Sequence, residues 1–277
     1  MQKWTGYKML FLVKNVKKYK MYPVQNYTEG TTMIVENEYT VKLSEIDRNN
    51  KVTNKAILSY LEDVGGKHSN IAGYGILDIP KTHLTWLLLE WKLQVIRRPN
   101  YNEKIKVTTW SKDTVKCYAY RDFKIYDEQG DIIALATSKW VLVDTQKGRI
   151  VMIQPDLLEK YEPELDKSAF EEKDKKNDFP KIKEPEGYQY ETEYVVRKSD
   201  IDVNNHMHNL NYIDLANEAL PDEVYKQSQL NNVRITYKRE IKLGETVKCK
   251  YSLVNGRHIV VVKSYDESML HALIEMY

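Results

Sequence analysis

The stretch Asp202-Val-Asn204-Asn-His206 sets a carboxylate, a side-chain amide and an imidazole at alternate positions. In an extended segment alternate side chains share one side. Asp202, Asn204 and His206 are therefore expected to converge on one small group, with Ile201 and Val203 facing away. Carboxylate and imidazole can exchange protons near neutral pH, and an amide can donate to a developing oxyanion. A helix expected to start near Asn209, its candidate cap, would bring unpaired backbone N–H groups close by. Asp and Asn also crowd into loops as turn formers, so on their own the Asp and Asn positions favour a plain turn.

The same stretch occurs twice. Residues 36–54 read ENEYTVKLSEIDRNNKVTN and residues 191–209 read ETEYVVRKSDIDVNNHMHN, identical at ten of nineteen positions. Ordinary residue usage would give about one or two. Where the second copy has His206, the first has Lys51. A second carboxylate, Glu240, lies in the segment Asn232–Ile241, expected to be a strand. Aligning Trp91-Lys-Leu-Gln-Val95 with Tyr237-Lys-Arg-Glu-Ile241 sets Glu240 opposite Gln94. The expectation is one fold used twice and one site, built from Asp202, Asn204, His206 and Glu240.

His206-Met-His208 beside an aspartate is also a zinc-like spacing. No further His or Cys supports it, and no P-loop, nucleophile elbow or dinucleotide fingerprint is present, so neither metal nor cofactor is expected. His68, His83, His258 and His271 are scattered and read as structural or surface groups. Cys117 and Cys249 read as buried thiols of a reducing compartment.

Each unit shows strand, polar loop, helix, then several strands. In the first, Glu38–Leu43 is the strand and a helix capped by Asn54 carries Ile57, Leu61 and Val64 on one face, with Gly65-Gly66 obscuring its end. Strands are expected at Thr85–Ile96, Lys104–Ser111, Lys116–Tyr126 and Ile132–Asp144, with a hairpin tip at Asp127–Gly130. In the second, a strand at Glu193–Arg197 precedes a helix with Ile213, Ala216 and Leu220 on its apolar face and Pro221 as its stop. Strands resume at Asn232–Ile241, Thr246–Leu253, Arg257–Tyr265 and Met269–Met276. This order is α+β. The expected division is an N-terminal extension over 1–32, a first unit over 33–159, a charged, solvated linker over 160–190 and a second unit over 191–277.

The 277 residues suffice for two cores. A formal charge of +2 lacks the basic excess of a nucleic-acid binder, and no apolar run is long enough to span a membrane.

Together, Asp200-Ile-Asp-Val-Asn-Asn-His-Met-His-Asn-Leu-Asn-Tyr212, Leu61-Glu-Asp-Val-Gly-Gly-Lys-His68, Leu84-Thr-Trp-Leu-Leu-Leu-Glu-Trp91, Val107-Thr-Thr-Trp110, Arg121-Asp-Phe123, Ser138-Lys-Trp140 and Tyr237-Lys-Arg-Glu240 resemble the acyl-acyl-carrier-protein thioesterases of plastids and bacteria. The resemblance covers residues 33–277. It implies a tandem (double) hotdog, each unit a long helix wrapped by a curved antiparallel sheet, that hydrolyses the thioester of an acyl chain on the phosphopantetheine arm of acyl carrier protein. It implies that the first unit shapes the acyl-chain pocket, around residues such as Trp86 or Leu58, and that the second carries the catalytic groups. Plant members have a cysteine directly after the glutamate; here Ile241 stands there, which removes a Cys-His-Asn scheme. No transit peptide is evident, which points to a cytoplasmic bacterial enzyme. Carrier protein is acidic, so a basic docking patch is expected from Arg97, Arg98, Lys104 and Lys106, or from Arg234, Lys238 and Arg239. A homodimer is compatible with the pattern. The alternatives are an acyl-CoA thioesterase, a hotdog dehydratase and a non-catalytic acyl-chain binding protein.

Overall fold

The computed structural model describes residues 33–170, 179–227 and 229–277; the extension expected over 1–32 lies outside the described residues. The first unit supplies β1 (Val35–Thr40), helix α1 (Asn54–Ile71), a short α2 (Ile79–Thr82), β2 (Leu84–Val95), β3 (Lys104–Ser111), β4 (Tyr118–Tyr126), β5 (Ile132–Asp144), β6 (Arg149–Val151) and a short α3 (Pro155–Glu159). The second supplies β7 (Tyr190–Val195), α4 (Asn211–Ala219), α5 (Asp222–Gln227), β8 (Asn232–Tyr237), β9 (Thr246–Val254), β10 (Arg257–Ser264) and β11 (Leu270–Met276). The strands form one antiparallel sheet in the order β1-β3-β4-β5-β2-β8-β11-β10-β9-β7, with β6 beside β5.

The two halves of that order are the two repeats, and they meet where β2 pairs with β8, from Glu90↔Thr236 to Gln94↔Asn232. Helix α1 packs on β1 and β3, α4 packs on β7 and β9, and the two helices touch each other. On α1 the residues Ile57, Leu58, Leu61 and Val64 are buried, each worth about 1.5–3 kcal/mol of apolar burial. The architecture is the α+β tandem hotdog.

Several local expectations shift. Thr53, not Asn54, caps α1, its side chain accepting from the Ala56 N–H. Helix α4 begins at Asn211 after Leu210, so Asn209 is not its cap. Gly65-Gly66 does not end α1, which continues to Ile71. A Cβ at Gly65 would meet Arg121 and Phe123 at 3.5 and 3.7 Å, ordinary contact distances, so the helix runs past the pair alongside β4. Strand β8 ends at Tyr237 because the Lys238 and Arg239 N–H groups both turn to the His271 carbonyl, at 2.8 and 3.2 Å. Glu240 is therefore not in a strand.

The described parts of the 160–190 segment are anchored to the sheet by isolated apolar side chains, with charged residues such as Lys181, Lys183 and Glu186 exposed between them. Phe170 and Ala169 pack on Trp110 of β3, Phe179 stacks on Tyr120 of β4, and Ile182 is buried against Ile259, Val261 and Leu273 of the second unit. Sparse apolar residues in a charged background carry no periodicity, which is why the contacts escape the pattern.

Arg98 fastens the units from inside. Its guanidinium donates to Val52 O (2.8 Å), Asn54 Oδ1 (2.8 Å), Leu230 O (3.1 Å) and Asn231 Oδ1 (3.0 Å). Arg98→Ala would leave the buried Val52 carbonyl without a donor and Leu230 O with only Asn54 Nδ2 (3.0 Å), while Asn54 Oδ1 and Asn231 Oδ1 lose theirs, and orphaned buried polar groups cost about 1–3 kcal/mol each. The expected outcome is a loss of about 3 kcal/mol, measured from the denaturant midpoint at unchanged m-value.

Candidate active site

The Asp202 loop is a tight turn, not an extended segment. The Asp202 N–H donates to the His206 carbonyl (2.9 Å), the Asn205 N–H to the Asp202 carbonyl (3.1 Å), and Asn205 is left-handed at φ 61°. Asp202 Oδ1 accepts from the Asn204 N–H (2.8 Å) and the His206 N–H (3.2 Å), while Asn204 Nδ2 donates to Oδ2 (3.2 Å). Asp202 and Asn204 thus meet because the carboxylate organises the turn, with His206 at its closing end, rather than by strand alternation. Among the described residues neither the His206 ring nor the Glu240 carboxylate is engaged in a hydrogen bond or ion pair, and both are half-buried.

The first copy builds the same turn. Asp47 N–H donates to Lys51 O (2.8 Å), Asn50 N–H to Asp47 O (3.1 Å), and Asp47 Oδ1 accepts from the N–H groups of Asn49 (2.8 Å) and Lys51 (3.0 Å). Asn50 is left-handed at φ 57°. Two polar residues and one αL position suffice for the turn, so its presence says nothing about chemistry. The side chain at its end does. Lys51 Nζ is tied to Asn100 Oδ1 at 2.8 Å, whereas His206 is bridged by its backbone to Lys242, two residues beyond Glu240.

These hydrogen bonds also correct the partner of Glu240. Met207 N–H donates to Ile241 O (2.8 Å) as Val52 N–H does to Pro99 O (3.1 Å). Lys242 N–H donates to Glu245 Oε2 (2.9 Å) as Asn100 N–H does to Glu103 Oε2 (3.0 Å). Ile241 therefore matches Pro99, and Glu240 matches Arg98, not Gln94, which sits in β2 paired with Asn232. The alignment placed the length difference in the wrong loop. The contrast between copies becomes sharper: a carboxylate in one, a fully engaged guanidinium in the other.

Asp202 and Glu240 share a neighbourhood. Tyr212, buried on α4, donates its hydroxyl to the Arg239 carbonyl at 3.3 Å. Its phenol is held well above the usual range, first by burial and then by the charges of Glu240, Glu245 and Asp202. Sequence reasoning missed Tyr212, although it ends the signature stretch. It also missed the role of His208, whose Nε2 lies 3.4 Å from Glu62 Oε1 on α1. His208 points across the unit boundary rather than towards a metal shared with His206. Glu62 also lies on a cavity of about 420 Å³ in the first unit, lined by Leu61, Gly66, Trp86, Trp140 and Tyr161, and reached from the second unit by Asn204. Trp86 is on this wall; Leu58 is buried in the core instead.

Other expected features fall elsewhere. The N–H groups at the start of α4 are used: Leu210 donates to His208 Nδ1 (3.3 Å), Asn211 to His208 O (2.9 Å), Tyr212 to Asn209 O (3.3 Å). Burial removes Arg98 and Arg234 from any docking patch, Arg234 being paired with Glu275 at 3.2 Å. Arg97 is held by Glu103 and Asp127 at 2.6 and 2.8 Å; Lys104 stays exposed. Ile241 is fully buried. Both cysteines are buried and unpaired, and burial pushes the Cys249 thiol up to about 12, with Cys117 also raised. No helix of the described residues is long and apolar enough to cross a membrane.

Residues 32–161 match the acyl-ACP thioesterase N-terminal domain, and residues 183–273 match the acyl-ACP thioesterase C-terminal domain. The chain belongs to the acyl-ACP thioesterase family. Among curated relatives of this family, the oleoyl-acyl carrier protein thioesterase of Coriandrum sativum is 27% identical over 222 residues, 76% of this chain and 60% of that protein. An acyl-[acyl-carrier-protein] hydrolase of Cuphea viscosissima is 29% identical over 164 residues, 58% of this chain and 39% of its own length. The chain thus spans about three fifths of the first of these relatives. The fold is shared with solved structures. The 12:0-ACP thioesterase of Umbellularia californica superposes with a TM-score of 0.75 at 19% identity, covering 88% of this chain and 96% of that one. An acyl-ACP thioesterase of Bacteroides thetaiotaomicron gives 0.73 at 21% identity, covering 88% and 96%. The double hotdog is therefore common to family members of plant and bacterial origin.

The His208–Glu62 contact generates a pH test. Glu62 raises the His208 pKa above its ordinary 6.5. A raised folded pKa gives stability that is fully present below 6.5 and is lost as pH rises through the folded value. Glu62→Gln is expected to lower the melting temperature on the acid side of that window and to leave it nearly unchanged on the alkaline side. Thermal melts across the window check this.

Proposed function

We propose that this protein hydrolyses acyl-acyl carrier protein to free fatty acid and carrier protein, with Asp202, Asn204, His206 and Glu240 as its catalytic set. The observation that carries the assignment of the set is the contrast between two superposable turns. One ends in Lys51 tied to Asn100 with Arg98 buried beside it; the other leaves His206 and Glu240 unengaged. Membership of the family supplies the reaction class, and the cavity that Asn204 reaches is the proposed acyl-chain pocket.

In this mechanism water attacks the thioester carbonyl carbon, the C–S bond breaks and the phosphopantetheine sulfur leaves with a proton. Asp202 is poorly placed as a nucleophile, because Oδ1 already accepts two N–H groups and Oδ2 accepts from Asn204. Its task is to hold the turn and orient the water through its remaining lone pairs. Glu240 and His206, which have no competing partner among the described residues, take the water proton and return one to the sulfur. Asn204 Nδ2 has a second N–H beyond the one spent on Asp202, and that donor faces the oxyanion. A thiol nucleophile has no place here: Cys249 is held protonated by burial and Ile241 occupies the position after Glu240. The carrier protein is the proposed partner, and two unpaired buried thiols suit a reducing, cytoplasmic setting.

General acid–base help is worth about 10²–10⁴-fold. His206→Ala and Glu240→Gln are each expected to lower kcat at least about tenfold with circular dichroism and melting unchanged. Asp202→Asn keeps an Oδ1 acceptor for the turn, so a loss of turnover there would report on charge rather than on loop structure. Lys51→Ala is expected to leave the chemical step intact. Fatty acid release from matched acyl-carrier-protein and acyl-CoA substrates tests the reaction itself. Equal turnover of the CoA forms would move the protein to the acyl-CoA class; Glu240→Gln at full kcat would remove Glu240 from the set.

A further inference from the structure

The peptide just before Glu240 is gripped by side chains that its counterpart in the first unit does not have. In both units the chain turns out of the sheet by the same backbone bonds. Lys238 and Arg239 N–H donate to His271 O (2.8 and 3.2 Å), as Ile96 and Arg97 N–H donate to Ile133 O (2.8 and 3.1 Å). His271 therefore stands where the first unit has Ile133, and both are 2% exposed. Of the two, the histidine adds a side-chain bond. Its Nδ1 lies 3.3 Å from Arg239 O, the carbonyl that also accepts the Tyr212 hydroxyl at 3.3 Å. At the repeat offset that sets Asp202 on Asp47, Tyr212 matches another isoleucine, the buried Ile57. Two isoleucines of one unit are thus a phenol and an imidazole in the other, and these meet on one carbonyl.

That carbonyl fixes the state of the ring. A carbonyl only accepts, through two lone pairs, so His271 carries its proton on Nδ1 and, with Tyr212, fills both. Burial lowers the His271 pKa below its ordinary 6.5, so the ring is neutral at neutral pH and has that one N–H to give. The other side of Glu240 is held as well. Ile241 is fully buried, and its carbonyl accepts the N–H of Met207, the neighbour of His206, at 2.8 Å.

The two units differ in their need for such a grip. Arg98 is aimed by its own guanidinium, which donates to four acceptors. The Glu240 carboxylate has no side-chain partner among the described residues, so the backbone on either side must set where it points. We propose that His271, together with Tyr212, is a positioning residue: it holds the Arg239 carbonyl so that the Glu240 carboxylate faces the turn carrying Asp202 and His206. Both act through Glu240, and the inference rests on Glu240 being catalytic.

His271→Ile installs the first unit's own residue and keeps the backbone bonds. It is expected to lower kcat for acyl-acyl carrier protein at least about tenfold with KM within about twofold, since a misplacement of about 1 Å can cost about 10²-fold. Tyr212→Phe, which removes one oxygen, is expected to fall in the same direction. His271→Asn, whose amide can again donate to the carbonyl, is expected to recover most of kcat. In a Glu240→Gln background His271→Ile is expected to add less than about twofold, because the group it aims is already gone. Full kcat in His271→Ile would overturn the proposal. So would a loss confined to KM, a loss undiminished in the Glu240→Gln background, or a His271→Asn protein no better than His271→Ile. If His271→Ile does not fold, full kcat in Tyr212→Phe overturns it alone. Full kcat in Glu240→Gln would instead remove the catalytic assignment on which this one rests.

Discussion

The pairing of β2 with β8 is the constraint on which the rest of the molecule depends. It joins the strands of the two units into one eleven-stranded sheet and sets Trp91 opposite Ile235 and Leu93 opposite Val233 in a shared core. Because of that join, Arg98 of one unit can reach Leu230 and Asn231 of the other, and His208 can meet Glu62. The loop at Asn204 can then open onto a cavity whose walls belong to the other repeat. Neither unit alone contains both the turn with its histidine and the cavity.

Within that frame the two repeats divide their work. The Asp47 and Asp202 turns are nearly superposable in their hydrogen bonds, so the scaffold is indifferent to what stands at the end of the turn. Lys51 and Arg98 in the first copy serve cohesion, saturated by Asn100, Asn54 and backbone carbonyls. Their counterparts His206 and Glu240 have no side-chain partner among the described residues. Groups that stabilise are bonded; groups available for chemistry are not.

Much of this was legible in the sequence. The repeat, the strand–loop–helix order and both ends of β3 and β5 follow from alternation and turn residues. That Asp202, Asn204 and the His206 backbone meet was legible too, though for a different reason from strand alternation: the Asp202 carboxylate binds the N–H groups two and four residues on. The counterpart of Glu240 was misplaced, because an alignment scores side chains while equivalence here is defined by backbone hydrogen bonds of Ile241 and Pro99. The packing of Phe170 and Ile182 onto the sheet, and the pairing of Arg121 with His68 across 53 positions, are long-range contacts. They have no local periodicity to announce them.

Gly66 leaves open space beside a helix that would be firmer with a side chain there. Gly in a helix interior costs about 1 kcal/mol relative to Ala, and a Cβ at Gly66 would meet nothing within 4 Å. Gly66 is exposed at the edge of the cavity, so the opening there is kept against the helix's own preference. Random change at this spot drifts towards a firmer helix and a smaller chamber, so the capacity of the chamber is something only use can maintain.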